Sequence, residues 1–244
     1  PEGPKGNPQR VPGPSDPHSI SISSDGKRVA YSKLTVSQNI WSVPIPDSGP
    51  ISIGEAVPVT EGNRIIEEHD LSRDGKWLVF DGYMQGRFGI FKRRLGDGVD
   101  EIVTGIDGHA FAPVWSPDGT EIAFYGGPDS LESDIFVVPS SGGVPSRITD
   151  FPGIDSSPSW SPDGRTIAFV SRGPQGIGQI DVWAVLRDGA DDPWGDPVQL
   201  TDFECGRASW AHDSRFFVCN AGYVDSLRIS RMAIVARNGE VEDI

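Results

Sequence analysis

Short apolar segments recur along the chain, and their pattern predicts β-strands rather than helices. Residues 122–124 and 167–169 both have the sequence IAF, which is apolar at consecutive positions. A strand with this pattern has to be covered on both faces, as happens when its sheet lies between two others. Long apolar stripes with helical spacing are absent from the sequence. We therefore predict an all-β fold in which neighbouring sheets pack face to face.

A tight-turn sequence recurs together with these segments at intervals of 44 to 50 residues. Each copy contains an aspartate, at Asp25, Asp74, Asp118, Asp163 and Asp213. A large apolar residue stands three positions before each aspartate, at Ile22, Leu71, Trp115, Trp160 and Trp210. Each interval has room for four short strands. Four strands in a unit of about 45 residues are typical of one blade of a β-propeller.

The turns themselves have a direct chemical interpretation. In the SPDG sequences at 116–119 and 161–164, proline presets φ, aspartate bonds the nearby backbone and glycine accepts a positive φ. We interpret the repeated aspartates as structural for this reason. The tryptophans at 115, 160 and 210 occupy a strand position shared by the repeats, so we expect them in the core or the channel wall.

The repeats divide the chain into five predicted blades. Their bounds are about 16–62, 63–106, 107–151, 152–203 and 204–244. Residues 1–15 are rich in proline and glycine, which predicts a linker or a strand of a preceding blade. The sequence starts at Pro1, so we expect it to come from a longer protein. We favour part of a six- or seven-bladed propeller, with a closed five-bladed ring as the alternative.

The repeat resembles the TolB-like, or PD40 (WD40-like), β-propeller repeat. The matching segments are the SPDG turns, the two IAF triplets, and the DIF and DVW sequences at 134–136 and 181–183. The resemblance extends from residue 18 to about residue 240. It implies a non-catalytic module that binds a protein or peptide partner in the bacterial cell envelope. It also implies a periplasmic or other extracytoplasmic location, as one part of a larger protein.

Charge and composition narrow the range of partners. Lys and Arg number 21 against 35 Asp and Glu, and the net charge is −14. Such a surface repels phosphate backbones, so we expect no nucleic-acid partner. The densest basic run, 92–94, is interpreted as a solvated strand end. No apolar run approaches the about 20 residues of a membrane span, so we expect no membrane insertion of this chain.

The sequence contains two cysteines, Cys205 and Cys219. Cys219 falls in a strand position that we predict to be buried, where a small apolar thiol also fits. Two cysteines do not make a disulfide framework of the kind found in small secreted domains. An internal bridge and two free thiols are both left open.

Candidate binding residues lie in the segments that lead into the innermost strands, which form the channel mouth of a propeller. They are Glu67, Glu68, His69, His109, Asp155, Glu204 and Arg207. Converging histidine and carboxylate groups can hold a cationic ligand or a metal. Because His-x-His and His-x-x-x-His spacings are absent, we predict neither a metal nor a cofactor. A small-molecule ligand at this mouth, or a funnel filled only with water, is the alternative to a peptide.

Trp194 is a separate candidate for partner contact. It lies in a long acidic insertion, 186–197, and an exposed tryptophan on an insertion is a typical contact residue. Packing within its own loop is the alternative.

Enzymatic function is not predicted for this chain. A Gly-x-Ser-x-Gly elbow is absent, and no nucleophile stands beside an oriented base in the sequence. Two enzymatic alternatives are kept. One is the gating propeller of a prolyl-oligopeptidase-like serine peptidase, whose hydrolase domain would lie outside this sequence. The other is a metal-dependent enzyme that acts in the channel mouth through His69 and His109.

Overall fold

The computed structural model confirms the all-β prediction. It describes residues 19–25, 27–32, 37–62, 64–84, 87–104, 106, 108–128, 131–176, 179–224 and 229–242. The predicted linker or strand at 1–15 lies outside these residues. The chain divides into two compact units, Pro1–Ser37 and Gln38–Ile244. The first unit contains one antiparallel hairpin, formed by β1 (Ser19–Ile22) and β2 (Val29–Ser32).

The second unit contains four sheets of four antiparallel strands each, with the strands in sequence order across every sheet. The second repeat forms β5 (His69–Leu71), β6 (Trp77–Met84), β7 (Arg87–Arg94) and β8 (Asp100–Thr104). The third repeat forms β9 (His109–Trp115), β10 (Glu121–Gly127), β11 (Asp134–Pro139) and β12 (Ser146–Arg147). The fourth repeat forms β13 (Ser156–Trp160), β14 (Thr166–Ser171), β15 (Asp181–Leu186) and β16 (Val198–Gln199). The fifth repeat forms β17 (Cys205–Trp210), β18 (Phe216–Val224), β19 (Ile229–Ala236) and β20 (Val241–Glu242).

The first repeat differs from the other four. In the second unit it contributes only a two-stranded sheet, formed by β3 (Trp41–Ser42) and β4 (Val57–Pro58). A single 3₁₀ turn, Ile53–Glu55, precedes β4. This turn is the only helical element among the described residues, and no described helix is long and apolar enough to cross a membrane.

The apolar triplets lie between sheets, as their pattern predicts. Residues 122–124 are all fully buried. Ile122 and Phe124 share a core cluster with Val79 of the preceding repeat, whereas Ala123 belongs to the cluster that contains Ile167 of the following repeat. The small alanine side chain allows the following sheet to approach closely. The second strands of the second, third and fourth repeats are therefore covered on both faces, which explains their consecutive apolar residues.

The structural interpretation of the repeated aspartates is confirmed. Asp118 accepts hydrogen bonds from the Ser116 hydroxyl at 2.7 Å and from the Thr120 backbone N–H at 3.0 Å. The bond from the backbone N–H two residues later recurs at Asp25, Asp74, Asp163 and Asp213. Each aspartate therefore closes its own hairpin turn. The tryptophans also pack as predicted, since Trp115 and Trp160 are each only 8 % exposed.

The basic run at 92–94 is not a fully solvated strand end. Arg93 is buried, and its guanidinium donates a hydrogen bond to Asp100 at 2.6 Å and a second to the Val59 carbonyl. Lys92 is largely covered, while Arg94 is exposed as predicted. The prediction failed at Arg93 because its partner Asp100 is brought beside it by the β7–β8 hairpin.

The cysteines of the last blade are joined. Cys205 in β17 and Cys219 in β18 form a disulfide whose Cα atoms are 5.9 Å apart. Both residues are buried in the cluster that also holds Phe217 and Val235. Of the two alternatives that the sequence left open, the structure therefore has the internal bridge and not two free thiols.

Candidate functional site

The first strand of each four-stranded sheet packs beside the first strand of the next. These strands are β5, β9, β13 and β17. Three of them contain a non-glycine residue with positive φ, namely Ala112 at 47°, Ser157 at 53° and Arg207 at 47°. Each of these residues stands three positions before the repeat tryptophan, and the ladder to the second strand shifts register there. Such a bulge changes the direction of the strand and is common beside functional sites.

A central cavity of about 270 Å³ lies where these bulges meet. It is lined by residues of all four first strands or their lead-in segments, namely Glu68, His69, Ala112, Pro113, Val114, Ser157, Pro158, Arg207, Ala208 and Ser209. The guanidinium of Arg207 donates a hydrogen bond to the carboxylate of Glu68. The second and fifth repeats therefore meet through an ion pair at this cavity. Both side chains are partly exposed, at 61 % for Arg207 and 41 % for Glu68.

Asp81 organises the backbone around this ion pair. Its buried carboxylate accepts hydrogen bonds from the backbone N–H groups of Glu67 at 2.8 Å, Glu68 at 3.1 Å and Ala112 at 3.1 Å. Burial raises the pKa of Asp81, and these three bonds offset only part of that rise. The carboxylate ties the second repeat to the bulge of the third, so it positions the mouth rather than facing it.

Aromatic rings extend from the β6–β7 hairpin to the channel mouth. Their ring centroids are 5.0 Å apart for Tyr83 and Phe88, 5.1 Å for Phe88 and His109, 5.7 Å for His109 and Phe111, and 5.6 Å for Phe111 and Tyr125. The His109 and Phe111 rings are nearly parallel, with 12° between their planes. This continuous row connects the second and third blades.

The last three rings of the row line a second cavity, which we call the aromatic cavity. It has a volume of about 200 Å³ and is lined by His109, Phe111, Tyr125, Gly126, Gly127, Ser133, Ile154 and Ser156. The Nδ1 atom of His109 is buried there and has no hydrogen-bond partner among the described residues. Three of its lining residues, Ser133, Ile154 and Ser156, lie next to Asp155, which is also one of the predicted binding residues.

The ring of Tyr125 faces an acidic environment. Burial raises the pKa of Tyr125, and the negative charges of Asp81, Glu67 and Glu68 raise it further, while Arg207 lowers it. Three carboxylates and one guanidinium thus act on this phenol. The three carboxylates outnumber the single guanidinium, and an excess of negative charge near this phenol favours cations.

Asp155 lies in the interior rather than at the mouth, contrary to its predicted position. Its side chain is fully buried, and neither carboxylate oxygen has a hydrogen bond of normal geometry among the described residues. Burial raises the pKa of Asp155 to about 6, and the nearby Ser171 and Thr149 hydroxyls counteract only part of this rise. Sequence reasoning placed Asp155 by the repeat register, which does not determine the direction of the side chain.

Trp194 lies away from the other predicted residues. The insertion that contains Trp194 follows the end of β15. There Leu186 pairs with Thr166, next to the SPDG turn. The mouth residues lie at the opposite end of the blades. Trp194 is half-buried, with its ring 5.6 Å from that of Trp160 and the Arg187 guanidinium 4.5 Å from its centroid. Its expected exposure is thus only partial, and its contact with a partner stays a prediction.

The remaining predicted residues divide between the two cavities and the surface. Glu68, His69 and Arg207 line the central cavity, and His109 lines the aromatic cavity. Glu67 and Glu204 are exposed in the lead-in segments of β5 and β17. Within the described part of the chain, no group of three or more His, Cys, Asp or Glu side chains is arranged to hold a metal ion.

Comparisons with known proteins agree with this architecture. The family model PD40, described as the TolB beta propeller domain, matches residues 54–241. TolB from Acinetobacter baumannii has 21 % identity and a TM-score of 0.63, with 91 % of this chain and 52 % of that chain covered. A protein assigned as TolB from Agrobacterium tumefaciens has 21 % identity and a TM-score of 0.62, with 92 % of this chain and 78 % of that chain covered.

An enzyme is also among the similar structures. A puromycin-hydrolyzing peptidase of Mycobacterium tuberculosis has 18 % identity and a TM-score of 0.61, with 91 % of this chain and 36 % of that chain covered. The chain thus spans about half of the Acinetobacter TolB and a smaller part of the peptidase. No curated protein sequence matches the chain.

Proposed function

The chain belongs to the PD40 family of TolB β-propeller domains, and from this premise we propose that it is a non-catalytic module that binds a protein or peptide partner. The partner docks at the channel mouth, where the central cavity opens. The observation that carries this proposal is the ion pair of Glu68 and Arg207, which joins the second and fifth repeats at that cavity.

The chemistry of the mouth suits an extended segment of a partner. The central cavity, at about 270 Å³, has room for a few side chains but not for a folded domain. Its charged groups are partly exposed, and an exposed ion pair contributes little to stability, so its members can exchange partners at low cost. Charged groups arranged in this way favour the specificity and the rate of association.

The arrangement of the histidines supports a binding role over a metal-dependent reaction. His69 lines the central cavity, while His109 lines the aromatic cavity. The two imidazoles that the metal-dependent alternative requires therefore belong to different cavities. The alternative of a peptidase gating propeller places the chemistry outside this sequence, and the sequences that flank residues 1 and 244 in the parent protein would test it.

An extracytoplasmic bacterial location is part of the proposal. The disulfide between Cys205 and Cys219 supports it, because such bonds persist mainly in oxidising compartments. The strongly acidic surface is compatible with a protein partner and unfavourable for nucleic acid.

Site-specific photo-crosslinking in the native cell extract tests this function. A benzophenone amino acid replaces Glu204 at the mouth, and a matched control replaces Val144, which is 89 % exposed in the β11–β12 turn. We expect one discrete crosslinked product from position 204 and none from position 144. The product should be lost when the mouth also carries Glu68→Lys. Equal products at both positions, or no product at 204, would contradict docking at the mouth.

A further inference from the structure

We propose that the aromatic cavity binds a basic side chain of the partner, an arginine or a lysine, against Phe111 and Tyr125 and near the acidic segment at Glu67. Asp81 joins the backbone of this segment to that of Ala112, the residue after Phe111. This inference rests on the proposed function, since it names the chemical group that the partner inserts. The shape, the rings and the charges of the cavity each support it independently.

The rings provide the surface that a cation prefers. Phe111 and Tyr125 lie 5.6 Å apart with 36° between their planes, and both are half-buried at the edge of the cavity. An organic cation within about 6 Å of such a ring face is attracted by the quadrupole of the ring. Arginine adds planar stacking to this attraction, because its guanidinium is flat and weakly hydrated.

The charges around the rings are not balanced. Asp81 is satisfied by three backbone N–H groups, and Glu68 is paired with Arg207. Glu67 lies beside them, and its exposed carboxylate has no basic partner among the described residues. A cation from outside would therefore complete the local charge pattern. The net charge of −14 on the chain would also attract a basic segment from a distance.

The cavity is preformed by close backbone packing. A Cβ atom at Gly126 would overlap the carbonyl oxygen of His109, and one at Gly127 would overlap that of Glu132. Two residues of the cavity lining thus have to be glycine, because neighbouring backbone lies directly against them. A preformed site spends less binding energy on ordering itself. Its volume of about 200 Å³ admits one long side chain.

The test uses two probes that differ in charge but have nearly the same shape. Acetyl-arginine methylamide and the neutral acetyl-citrulline methylamide are titrated into the full chain, and chemical shifts of the aromatic ring protons are followed by NMR. We expect saturable shifts at Phe111 and Tyr125 with the arginine probe. The citrulline probe should bind at least about threefold more weakly, as expected for a single cation–π contact.

Variants identify the groups responsible. Phe111→Leu keeps an apolar side chain but removes the ring, and Glu67→Gln removes one exposed charge, so each should weaken the arginine probe about threefold or more. Tyr125→Phe keeps the ring and should retain binding. Asp97→Asn, in an exposed turn of the same blade, is the matched charge control and should have no effect.

Three results would overturn the inference. They are equal affinity for both probes, shifts confined to other residues, and unchanged affinity in the folded Glu67→Gln variant. A crosslink at position 204 together with any of these results would leave docking at the mouth intact and remove only the cation pocket. Binding of the arginine probe without any crosslink at position 204 would support the cation pocket and contradict docking of a partner at the mouth.

Discussion

Asp155 occupies a repeat position at which the other complete blades carry buried apolar residues, namely Ile66, Ala110 and Cys205. Burial holds its pKa at about 6, above the usual 3.8. The folded state therefore binds a proton more tightly than the unfolded state between about pH 4 and pH 6. The contribution of this group to stability falls as the pH rises through that range. A difference of about two pKa units corresponds to about 3 kcal/mol at neutral pH.

We therefore predict that Asp155→Asn raises the free energy of unfolding at pH 7.5 by up to about 3 kcal/mol, because it removes a buried charge. At pH 4 the variant and the parent should be nearly equal, since the parent carboxyl is then protonated. Urea unfolding at the two pH values measures both quantities. A variant that is less stable at pH 7.5 would mean that the carboxylate has partners in its pocket.

The turn aspartates lead to the opposite expectation for substitution. Asp118 accepts three hydrogen bonds within its turn, from the Ser116 hydroxyl and from the backbone N–H and hydroxyl of Thr120, so Asp118→Ala should lower the free energy of unfolding by about 1 kcal/mol. Asp188→Ala, in the exposed loop after β15, serves as the control and should change stability by less than about 0.5 kcal/mol. Chemical denaturation would measure both changes. Equal effects of the two substitutions would contradict the role of the turn bonds.

Residues whose role depends on local bonds could be predicted from the sequence, and residues with distant partners could not. The aspartate of each turn bonds the backbone two residues later, so the SPDG sequence contains the necessary information. Arg93 and Tyr125 depend on partners from other strands or blades. Tyr125 directly follows the aromatic column of its repeat, at a position held by Asp81 and Val170 in neighbouring blades. This variation among the repeats is the only sign in the sequence that the position has a role other than packing.

At the scale of elements, the hairpins of each blade follow from turn chemistry, while the bulges of the first strands do not. Ala112, Ser157 and Arg207 share a backbone conformation but not a residue type, so no single residue marks the bulge. The partial burial of Trp194 also escaped prediction. Trp194 is partly buried because it packs against Arg187 and Trp160. Trp160 belongs to another hairpin of that blade, so this contact depends on the tertiary structure.

The last blade is crosslinked by a disulfide. The bond between Cys205 and Cys219 closes a short loop, with a sequence separation of 14 residues. In the chain-entropy account, a loop of this size stabilises the folded state by about 3 kcal/mol. We predict that reduction lowers the free energy of unfolding by about this amount, as measured by denaturation with and without a reductant.

Alkylation followed by mass spectrometry provides the control for this prediction. The unfolded chain should take up no alkyl group before reduction and two after it. Uptake of two groups without reduction would show that the thiols are free. Equal stability in both states would show that the bond does not constrain the blade.

At the scale of the whole molecule, the periodic columns of the sequence were sufficient to predict stacked sheets. The second strands of the second, third and fourth repeats are apolar on consecutive residues because neighbouring repeats cover both of their faces, as the core clusters of residues 122–124 show. The number of blades in the parent propeller stays a prediction. The direction in which side chains of the lead-in segments point is a tertiary property, which is why Asp155 and Glu68 have different environments.

The affinity of the crosslinked partner for two variants tests the central claim most directly. Glu67→Lys reverses a charge at the mouth, and Asp97→Lys reverses one in an exposed turn of the same blade. If the mouth is the docking surface, Glu67→Lys raises the dissociation constant by at least about fivefold, equivalent to about 1 kcal/mol, and Asp97→Lys leaves it unchanged. An unchanged dissociation constant for Glu67→Lys, or an equal rise for both variants, would contradict the account.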